Sequence, residues 1–309
     1  MPDIVINGAT YPDTPGIAVP RSGGGTVYFT AEPPSINLLH NADWGYSLVN
    51  QRTHTGAVSD AYCIDRWIGN GTVTPSAGSH VALASGTTMT QRMEIIPDVL
   101  FGKTVTFAYQ DSSDNVYSAA ITFPSSSSAS AETATVEDIT VETGFIVGTI
   151  VLNSVSCASV PYIKLTANSV VNIRRVWAEF GEMCHMETTP PMDYANNLVV
   201  CQRYLRMIVN FEAFAGNMYT TKTVARGFLP YSFRTTPTIS PNYQADCGVR
   251  VLGGSANRNM NIETQFQDSN GVMIKLSVDS NDTRGDIANP HSAVIVNFSS
   301  SKTYLSAEL

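Results

Sequence analysis

Residues 177–206 read WAEFGEMCHMETTPPMDYANNLVVCQRYLR, and the spacing of apolar residues changes inside this stretch. Its first residues are the end of a predicted strand, Val170–Phe180, in which β-branched residues are interspersed with arginines. Pro190 and Pro191 end the extended pattern, because proline has no N–H to donate and restricts the residue before it. The stretch therefore predicts a joint between one β-domain before it and another after it.

The apolar residues beyond the prolines recur every three or four positions, which is the period of one face of a short helix. Asp193 is the expected N-cap, and Arg203 and Arg206 suit the C-terminal end of the helix dipole. We expect the apolar face to contact the C-terminal domain or a symmetry-related helix, which makes it a candidate oligomer interface. That face comprises Tyr194, Leu198, Cys201 and Leu205.

The remaining local patterns are short strands and turns, so the predicted fold class is all-β. We predict an N-terminal β-hairpin unit, an antiparallel β-sandwich, a linker with one short helix, and a β-rich C-terminal domain. These segments are assigned to residues 1–34, 35–186, 187–206 and 207–309. The serine-rich run at 125–130 is interpreted as a polar loop inside the sandwich, because a boundary there would leave two half-sheets without cores.

Two hairpin signals mark the N-terminal unit. One is Asn7-Gly8, and the second is the glycine-rich turn at 21–25. About thirty residues cannot bury a core of their own. We therefore expect residues 1–31 to dock on their own chain, on a symmetry mate or on a larger assembly.

Runs rich in β-branched and aromatic residues, separated by Gly, Asn, Asp and Ser, predict the strands of the two larger domains. In the sandwich they are Val81–Ala84, Thr87–Ile95, Thr104–Tyr109, Ala119–Phe123, Phe145–Leu152, Tyr162–Thr166 and Val170–Phe180. In the C-terminal domain they are Met207–Phe214, Thr223–Tyr231, Thr238–Ser240, Val249–Leu252, Asn259–Gln267, Val272–Val278 and Ala293–Phe298. The second set has few aromatic residues and a thin core, which indicates oligomerisation.

Composition and charge exclude several functional classes. Charged residues make up 14% of the chain, below the usual quarter, which favours short strands with polar turns. The formal net charge of −8 argues against nucleic-acid binding, which needs a basic surface. No apolar run approaches the length of a membrane span, so we expect no membrane insertion. Residues 207–309 hold 8 basic and 8 acidic side chains, which does not indicate a strongly charged ligand.

The cysteines indicate reduced thiols rather than a disulfide framework. Their number is odd and no pair has CxxC spacing, which also argues against a zinc knuckle. Residues 1–3 lack the basic start of a secretory signal, and no apolar core follows them. We therefore expect mostly buried thiols in a protein that folds in a cytosol.

Two clusters of side chains resemble metal sites. Asn41, Asp43 and Asp65 carry hard oxygen ligands and so suggest a calcium or sugar site. The alternative is structural, because buried amides and carboxylates must be hydrogen-bonded and these can fasten the first strand to neighbouring backbone. Residues 183–186, Met-Cys-His-Met, resemble a soft-metal cluster, but successive strand side chains point to opposite faces. We expect no metal ion and no other cofactor.

Catalysis has little support in the sequence. The chain has no HExxH motif and no GxSxG motif. A glycosidase needs two carboxylates across a cleft, whereas the acidic residues here are scattered and lie mostly in expected turns. We therefore do not expect an enzyme, although distant strands or different chains of a trimer can still assemble such a pair.

Carbohydrate binding requires exposed aromatic faces beside amides and charged groups. In the sandwich the candidates are Trp44 and Tyr46, while Trp67 and Trp177 are assigned to the core. In the C-terminal domain we expect polar loops on a rigid scaffold to carry the site, although the same residue types also form ordinary turns. The candidates there are Tyr243, Arg250, Asn257, Arg258, Asn259, Asp268, Asn270, Asp282 and Arg284.

Several motifs in combination resemble tail-fibre and receptor-binding proteins of phages and prophages of gut bacteria. The opening of the sandwich carries INLLHNADW at 36–44, VNQR at 49–52 and YCIDRW at 62–67. Within the joint, WAEFGE at 177–182 and NLVVCQRY at 197–204 resemble the end of that domain and the entry to the distal tip. His185, Met186, Glu187 and the double proline replace the more usual Thr-Pro-Phe-type linker. The last five residues, LSAEL, resemble the terminal strand of those tips.

The resemblance implies a jelly roll similar to carbohydrate-binding modules, followed by a homotrimeric tip. We accordingly expect a virion protein, assembled in a bacterial host cytoplasm, that binds host surface polysaccharide through the tip. Residues 1–31 would attach it to other virion structural proteins. The alternatives are a capsid-attached head fibre or decoration protein, a polysaccharide-degrading depolymerase, and a secreted carbohydrate-binding module, which would be monomeric and carry an export signal.

Overall fold

The computed structural model describes residues 36–152 and 155–208, the strands named below outside these ranges, and residues 233 and 307. Side chains are described for residues 36–148 and 157–207 and for residues 233, 238, 306 and 307. The recorded strand pairs are all antiparallel, so the prediction of an all-β chain is confirmed. The finer jelly-roll arrangement that the resemblance implies stays a prediction.

The N-terminal unit contains two short hairpins where the turn signals predict them. Strands β1 (Ile4–Ile6) and β2 (Ala9–Tyr11) pair around Asn7-Gly8. Strands β3 (Ile17–Pro20) and β4 (Thr26–Phe29) pair around the glycine-rich turn. These pairings confirm both hairpin predictions. The predictions rested on turn residues that tolerate positive φ.

Residues 36–180 form the β-domain, whose strands belong to one hydrogen-bonded network. Its strands are β5 (Gly56–Tyr62), β6 (Ile68–Ser76), β7 (His80–Leu83), β8 (Thr88–Arg92), β9 (Thr104–Asp111), β10 (Val116–Thr122), β11 (Glu132–Val136), β12 (Ile139–Leu152), β13 (Val155–Ala167) and β14 (Val171–Phe180). Two four-residue helices, α1 (Trp44–Ser47) and α2 (Pro97–Leu100), lie between strands. The run at 125–130 is a loop between β10 and β11, as expected.

Strand β6 joins two groups of four strands. Its C-terminal half pairs with β7, which continues through β14 and β9 to β10. Its N-terminal half pairs with β8, which continues through β13 and β12 to β11. The far ends of the groups meet, since Thr143 Oγ1 on β12 donates to the carbonyl oxygen of Thr122 on β10 at 3.1 Å. The two groups thereby enclose one shared core.

The core contains the largest side chains of the β-domain. Trp67 is fully buried and Trp177 is 2% exposed, which confirms their assignment to the core. Trp44 packs edge-on against Trp67, with ring centroids 5.2 Å apart. Such an edge-to-face pair adds about 0.5–1.5 kcal/mol beyond the burial of its area.

Strands β5, β6 and β11 have no counterpart in the predicted set. β6 reads IGNGTVTPS, a composition typical of turns, yet it pairs with three other strands. β5 contains a register shift between Val58 and Ala61, where Asp60 has a φ of 45°. Local composition misses these strands because their pairing is determined by neighbours distant in sequence.

Asn41 is the most heavily bonded side chain in the turn that precedes α1. Its Nδ2 donates to the carbonyl oxygens of Val49 and Asp65, each at 2.8 Å, and its Oδ1 accepts from Val49 N–H at 2.8 Å. Its carbonyl oxygen accepts from the indole nitrogens of Trp44 and Trp67 at 2.8 and 3.0 Å. The φ of 50° at this residue suits asparagine, which tolerates the left-handed region better than most residues.

Helix α3 (Tyr194–Gln202) follows the β-domain and begins as predicted. Asp193 is its N-cap and accepts from the backbone N–H of Asn196 at 3.1 Å. The predicted apolar stripe is wrong in its composition, because Leu205 lies on strand β15 (Leu205–Ile208) rather than on the helix. The helix buries Cys201, which is part of the predicted stripe, together with Asn197, which is not.

Strand pairs in the C-terminal region form two further sheets. Their remaining strands are β16 (Phe214–Asn217), β17 (Val224–Leu229), β18 (Thr238–Ser240), β19 (Tyr243–Val251), β20 (Gly254–Asp268), β21 (Gly271–Val278), β22 (Ser292–Ile295) and β23 (Thr303–Ser306). One sheet has the order β15-β23-β18 and the other β16-β22-β19-β20-β21-β17. The predicted hairpin between Gln267 and Gly271 is confirmed by the pairing of Asp268 with Gly271.

The expectation of a polar loop at 257–259 is wrong, since these residues lie within β20, where Asn257 and Arg258 pair with Gly248 and Cys247 of β19. Polar composition suggested the loop, but polar side chains are common on the wet face of an antiparallel strand. Among the described residues, no helix is long and apolar enough to cross a membrane.

Asn41→Ala is expected to destabilise the β-domain by at least about 3 kcal/mol. The change leaves buried partners of the amide unpaired, at about 1–3 kcal/mol for each group. Urea unfolding followed by tryptophan fluorescence measures this, because all 3 tryptophans lie in the β-domain. Asn115→Ala is the control, since Asn115 is exposed and its amide donates only to nearby Asp111. Equal stability of the two variants would contradict the role given to Asn41.

Candidate functional site

The joint is attached to the β-domain by a buried amide pair. Asn197 of α3 is 2% exposed, and its Nδ2 donates to Asn41 Oδ1 at 3.0 Å and to the carbonyl oxygen of Ser47 at 2.7 Å. With this bond, both hydrogens and both lone pairs of the Asn41 side chain are engaged. The same residue therefore closes the turn around α1 and fixes the helix that leads to the C-terminal region.

Gln51 connects the β-domain to strand β15. Its Nε2 donates to the carbonyl oxygen of Leu205 at 2.7 Å, and its Oε1 accepts from the N–H of Met207 at 3.1 Å. A single side chain thus makes the two bonds that a neighbouring strand would make. Asp65 orients the amide, since its Oδ2 accepts from Gln51 Nε2 at 2.6 Å.

Tyr204 fills the space between α3 and the β-domain. It is fully buried, and the guanidinium carbon of Arg66 lies 3.6 Å from its ring centroid. Burial raises the pKa of the Tyr204 hydroxyl well above its usual value. The carbonyl oxygen of Tyr204 accepts from the N–H of Ala307 at 2.6 Å, which brings the end of β23 to the joint.

The imidazole of His40 lies near the Tyr204 ring, with ring centroids 5.9 Å apart. Burial lowers the pKa of His40 to about 4, and the positive charges of Arg66 and Arg203 add to the effect. The imidazole is therefore neutral at pH 7, and protonating it in the folded chain is unfavourable.

An ion pair clamps the linker between β14 and α3. Arg175 Nε bonds Asp43 Oδ1 at 2.5 Å, and both side chains are almost fully buried. Arg175 Nη1 donates to the carbonyl oxygens of Met186 and Thr189 at 2.7 and 2.8 Å. Asp43 Oδ2 accepts from the N–H of Met192 at 2.8 Å. Removing either partner would leave a buried charge uncompensated, which typically costs about 3–5 kcal/mol.

These contacts favour the structural interpretation of Asn41, Asp43 and Asp65 over a calcium or sugar site. Asn41 has no free hydrogen-bonding position, and Asp43 is engaged by Arg175 and the Met192 N–H. Both carboxylate oxygens of Asp65 accept from Gln51. Among the described residues, no group of three His, Cys, Asp or Glu side chains is placed to hold a metal ion.

The Met-Cys-His-Met segment contains a hydrogen-bonded contact between His185 and Glu179 rather than a ligand cluster. Glu179 Oε2 lies 2.8 Å from His185 Nδ1, and Glu179 Oε1 accepts from the His185 backbone N–H. Met186 packs against Trp177 and Ala108. Burial raises the pKa of the Cys184 thiol, which disfavours the thiolate that binds metals.

The described cysteines are free thiols. Cys63, Cys157 and Cys201 are buried and Cys184 is partly exposed, which confirms the expectation of reduced, mostly buried thiols for these four. Cys247 lies outside the residues whose side chains are described.

A groove of about 490 Å³ lies next to the joint. Tyr46 of α1 and Tyr194 of α3 line it together with the turn at 50–54 and the β6–β7 hairpin at 75–78. The two tyrosines are 44% and 53% exposed, so both offer ring surface to a ligand. The volume is within the range of about 300–1,000 Å³ that is usual for ligand pockets.

Tyr46 is held in place by the β-domain. Its hydroxyl donates to Gln110 Oε1 at 3.2 Å, and the guanidinium carbon of Arg174 lies 4.8 Å from its ring centroid. Asp114 forms an ion pair with Arg174 and fixes that guanidinium. A Cβ on Gly45 would lie 2.5 Å from the carbonyl oxygen of Ser79, so only glycine lets α1 approach the β6–β7 hairpin this closely.

Tyr194 owes its position to the joint. It is the first residue of α3, directly after the N-cap Asp193 and three residues before the buried Asn197. The bonds of Asn197 to Asn41 and Ser47 thus determine where the Tyr194 ring lies relative to Tyr46.

Trp44, Cys201 and Leu205 do not have the positions that their predicted roles require. Trp44 is fully buried and bonded through its indole nitrogen, so it cannot stack on a glycan. Cys201 and Leu205 are fully buried within their own chain, so they are not available as an oligomer surface. Tyr46 and Tyr194 are accessible, and the structure brings them to one groove.

The C-terminal glycan candidates lie outside the residues whose side chains are described. The backbone places Tyr243 and Arg250 on β19, and Asn257, Arg258, Asn259 and Asp268 on β20. Asn270, Asp282 and Arg284 fall outside the described residues altogether.

Comparisons with protein-family models, curated proteins and solved structures found no match. The function is therefore inferred from the sequence and from the geometry of the described residues.

Acidification is expected to destabilise the β-domain through His40. In the unfolded chain its pKa is about 6.5, whereas in the folded chain it is about 4. Between these values the unfolded state binds a proton that the folded state excludes, so stability falls as the pH drops from about 7 towards 4. The loss is on the order of 2–3 kcal/mol.

Urea unfolding at several pH values, followed by tryptophan fluorescence, measures this contribution. His40→Gln is expected to flatten the pH dependence, and so is His40→Phe, which keeps a ring against Tyr204. Variants with the same pH dependence as the parent chain would show that His40 is not the responsible group.

Proposed function

We propose that the chain is a virion structural protein of a phage, acting as a tail-fibre or receptor-binding component that holds host surface polysaccharide. The single observation that supports it most is the hydrogen-bonded joint. Asn197 and Gln51 attach α3 and β15 to the β-domain, so the β-domain and the start of the C-terminal region move together. A protein that attaches a particle to a surface needs such a connection, because force on the tip must reach the base.

We assign one role to each segment, in the order of the chain. Residues 1–31, with their two hairpins, attach the chain to other virion proteins. The β-domain is a rigid spacer, and the C-terminal β-region is the trimeric tip that contacts polysaccharide. Weak sites for sugar become effective when three are presented together, because each bound site raises the effective concentration of the next.

The outer face of α3 supports contacts between chains. Val199 is 62% exposed, whereas Asn197 and Cys201 of the same helix are buried. Val199 replaces Cys201 and Leu205 as a candidate for the oligomer contact, and the partly buried Leu198 stays one. The face is small, so the larger part of a trimer interface is assigned to the C-terminal region.

The alternatives place the same architecture elsewhere. A capsid-attached head fibre or decoration protein would differ in where residues 1–31 dock. A depolymerase would need two carboxylates across a groove, whereas the lining of the groove beside the joint, as far as it is described, has none. The lining of this groove therefore favours binding over cleavage.

The test is an array of purified bacterial capsular and O-antigen polysaccharides, probed with the full chain after light scattering has established its mass. We expect a trimer that binds a subset of the polysaccharides. The double change Asp282→Ala with Arg284→Ala should weaken binding by about tenfold or more, because three sites are lost together. Lys103→Ala is the control, since Lys103 is exposed on the β-domain.

Three outcomes would count against this function. A monomeric chain would contradict the trimeric tip. Failure to bind any of the polysaccharides would contradict the receptor-binding role. Release of shorter saccharides during incubation would identify a depolymerase instead.

A further inference from the structure

We propose that the groove between Tyr46 and Tyr194 is a binding site for neutral pyranose sugars, separate from the C-terminal region. This site shares with the proposed function only the class of ligand, since both bind polysaccharide. It is a second site, which lies on the β-domain.

The aromatic side chains provide the main contact. A pyranose ring has one face formed largely by C–H groups, and this face packs on the face of an aromatic ring while the hydroxyls stay in contact with polar atoms. Tyrosine suits such a site, because its body is apolar and its hydroxyl forms hydrogen bonds. Tyr46 and Tyr194 contribute from opposite elements, α1 and α3, to the same groove.

The charge of the groove favours a neutral ligand. Its described lining contains no Asp, Glu, Lys or Arg, and the Arg174 guanidinium on the Tyr46 ring is already paired with Asp114, so neither an acidic nor a basic sugar would find an unpaired charge in this lining. Asn50 can form hydrogen bonds with a ligand. Its Nδ2 donates to the carbonyl oxygen of His54, and its Oδ1 accepts from the His54 N–H. An amide has two hydrogens and two lone pairs, which leaves one of each for a ligand hydroxyl.

The groove is formed before any ligand arrives. Tyr46 is fixed by Gln110 and Arg174, and Asn50 is fixed by the backbone of His54. Little side-chain freedom is then lost on binding, which favours affinity.

The site also crosses the boundary between the β-domain and the linker helix. Tyr46 belongs to the β-domain, whereas Tyr194 begins α3. A sugar in contact with both rings would bind only while α3 is docked. By linkage, the same sugar would stabilise the docked joint.

Saturation-transfer NMR with the full chain tests the proposal. The probes are the methyl glycosides of glucose, galactose and mannose, with methyl glucuronide as the charged comparison. We expect transfer to ring protons of at least one neutral glycoside. Tyr46→Ala and Tyr194→Ala should each weaken binding by about two- to tenfold, the value of one aromatic contact.

Two further variants separate stacking from general damage. Tyr194→Phe keeps the ring face and should keep most of the transfer. Val170→Ala changes an exposed residue of the β-domain outside the groove and should leave binding unchanged.

The proposal is overturned if no neutral glycoside receives transfer, if only the glucuronide does, or if the double change Tyr46→Ala with Tyr194→Ala leaves transfer intact. These results are distinct from failure of the proposed function. If the chain binds no polysaccharide through Asp282 and Arg284 but binds a glycoside through the tyrosines, the groove is a sugar site and the proposed role of the C-terminal tip is wrong.

Discussion

The buried side chain of Asn41 is the constraint on which the other described contacts depend. Its amide closes the turn around α1, holds the loop that carries Asp65, and accepts the bond from Asn197 that docks α3. The backbone carbonyl oxygen of the same residue accepts from the indole nitrogens of two tryptophans of the core. Because such a group is costly to leave unpaired in an apolar interior, core packing and docking of the joint are energetically linked.

This linkage gives the joint its proposed role. The Asp43–Arg175 clamp fixes the linker, Gln51 substitutes for a strand beside β15, and Tyr204 fills the remaining space. The C-terminal region therefore begins from a rigid base. The groove follows from the same geometry, since Tyr194 lies beside Tyr46 only while α3 is docked. The proposed mechanical connection and the proposed sugar site share one set of contacts.

Local sequence signals predicted the features that depend on few residues. The Asn7-Gly8 hairpin and the Asp193 N-cap follow from turn and capping chemistry, and the all-β class follows from composition and alternation. Features determined by tertiary contacts were not predictable. Leu205 continued the helical period but lies on a strand, and Trp44 is hidden by Trp67 and Asn41. Nothing in the sequence places Tyr194 next to Tyr46, because their proximity requires the Asn41–Asn197 bond.

Hydrogen exchange of the full chain, read by mass spectrometry of peptides, tests the docked joint most directly. The account predicts that peptides covering α3 and the start of β15 exchange as slowly as those from β14. Cooperative protection of this kind would mean that the joint opens only when the β-domain opens. Rapid exchange of residues 194–207 beside a fully protected β14 would show that the joint opens independently, and it would contradict the account.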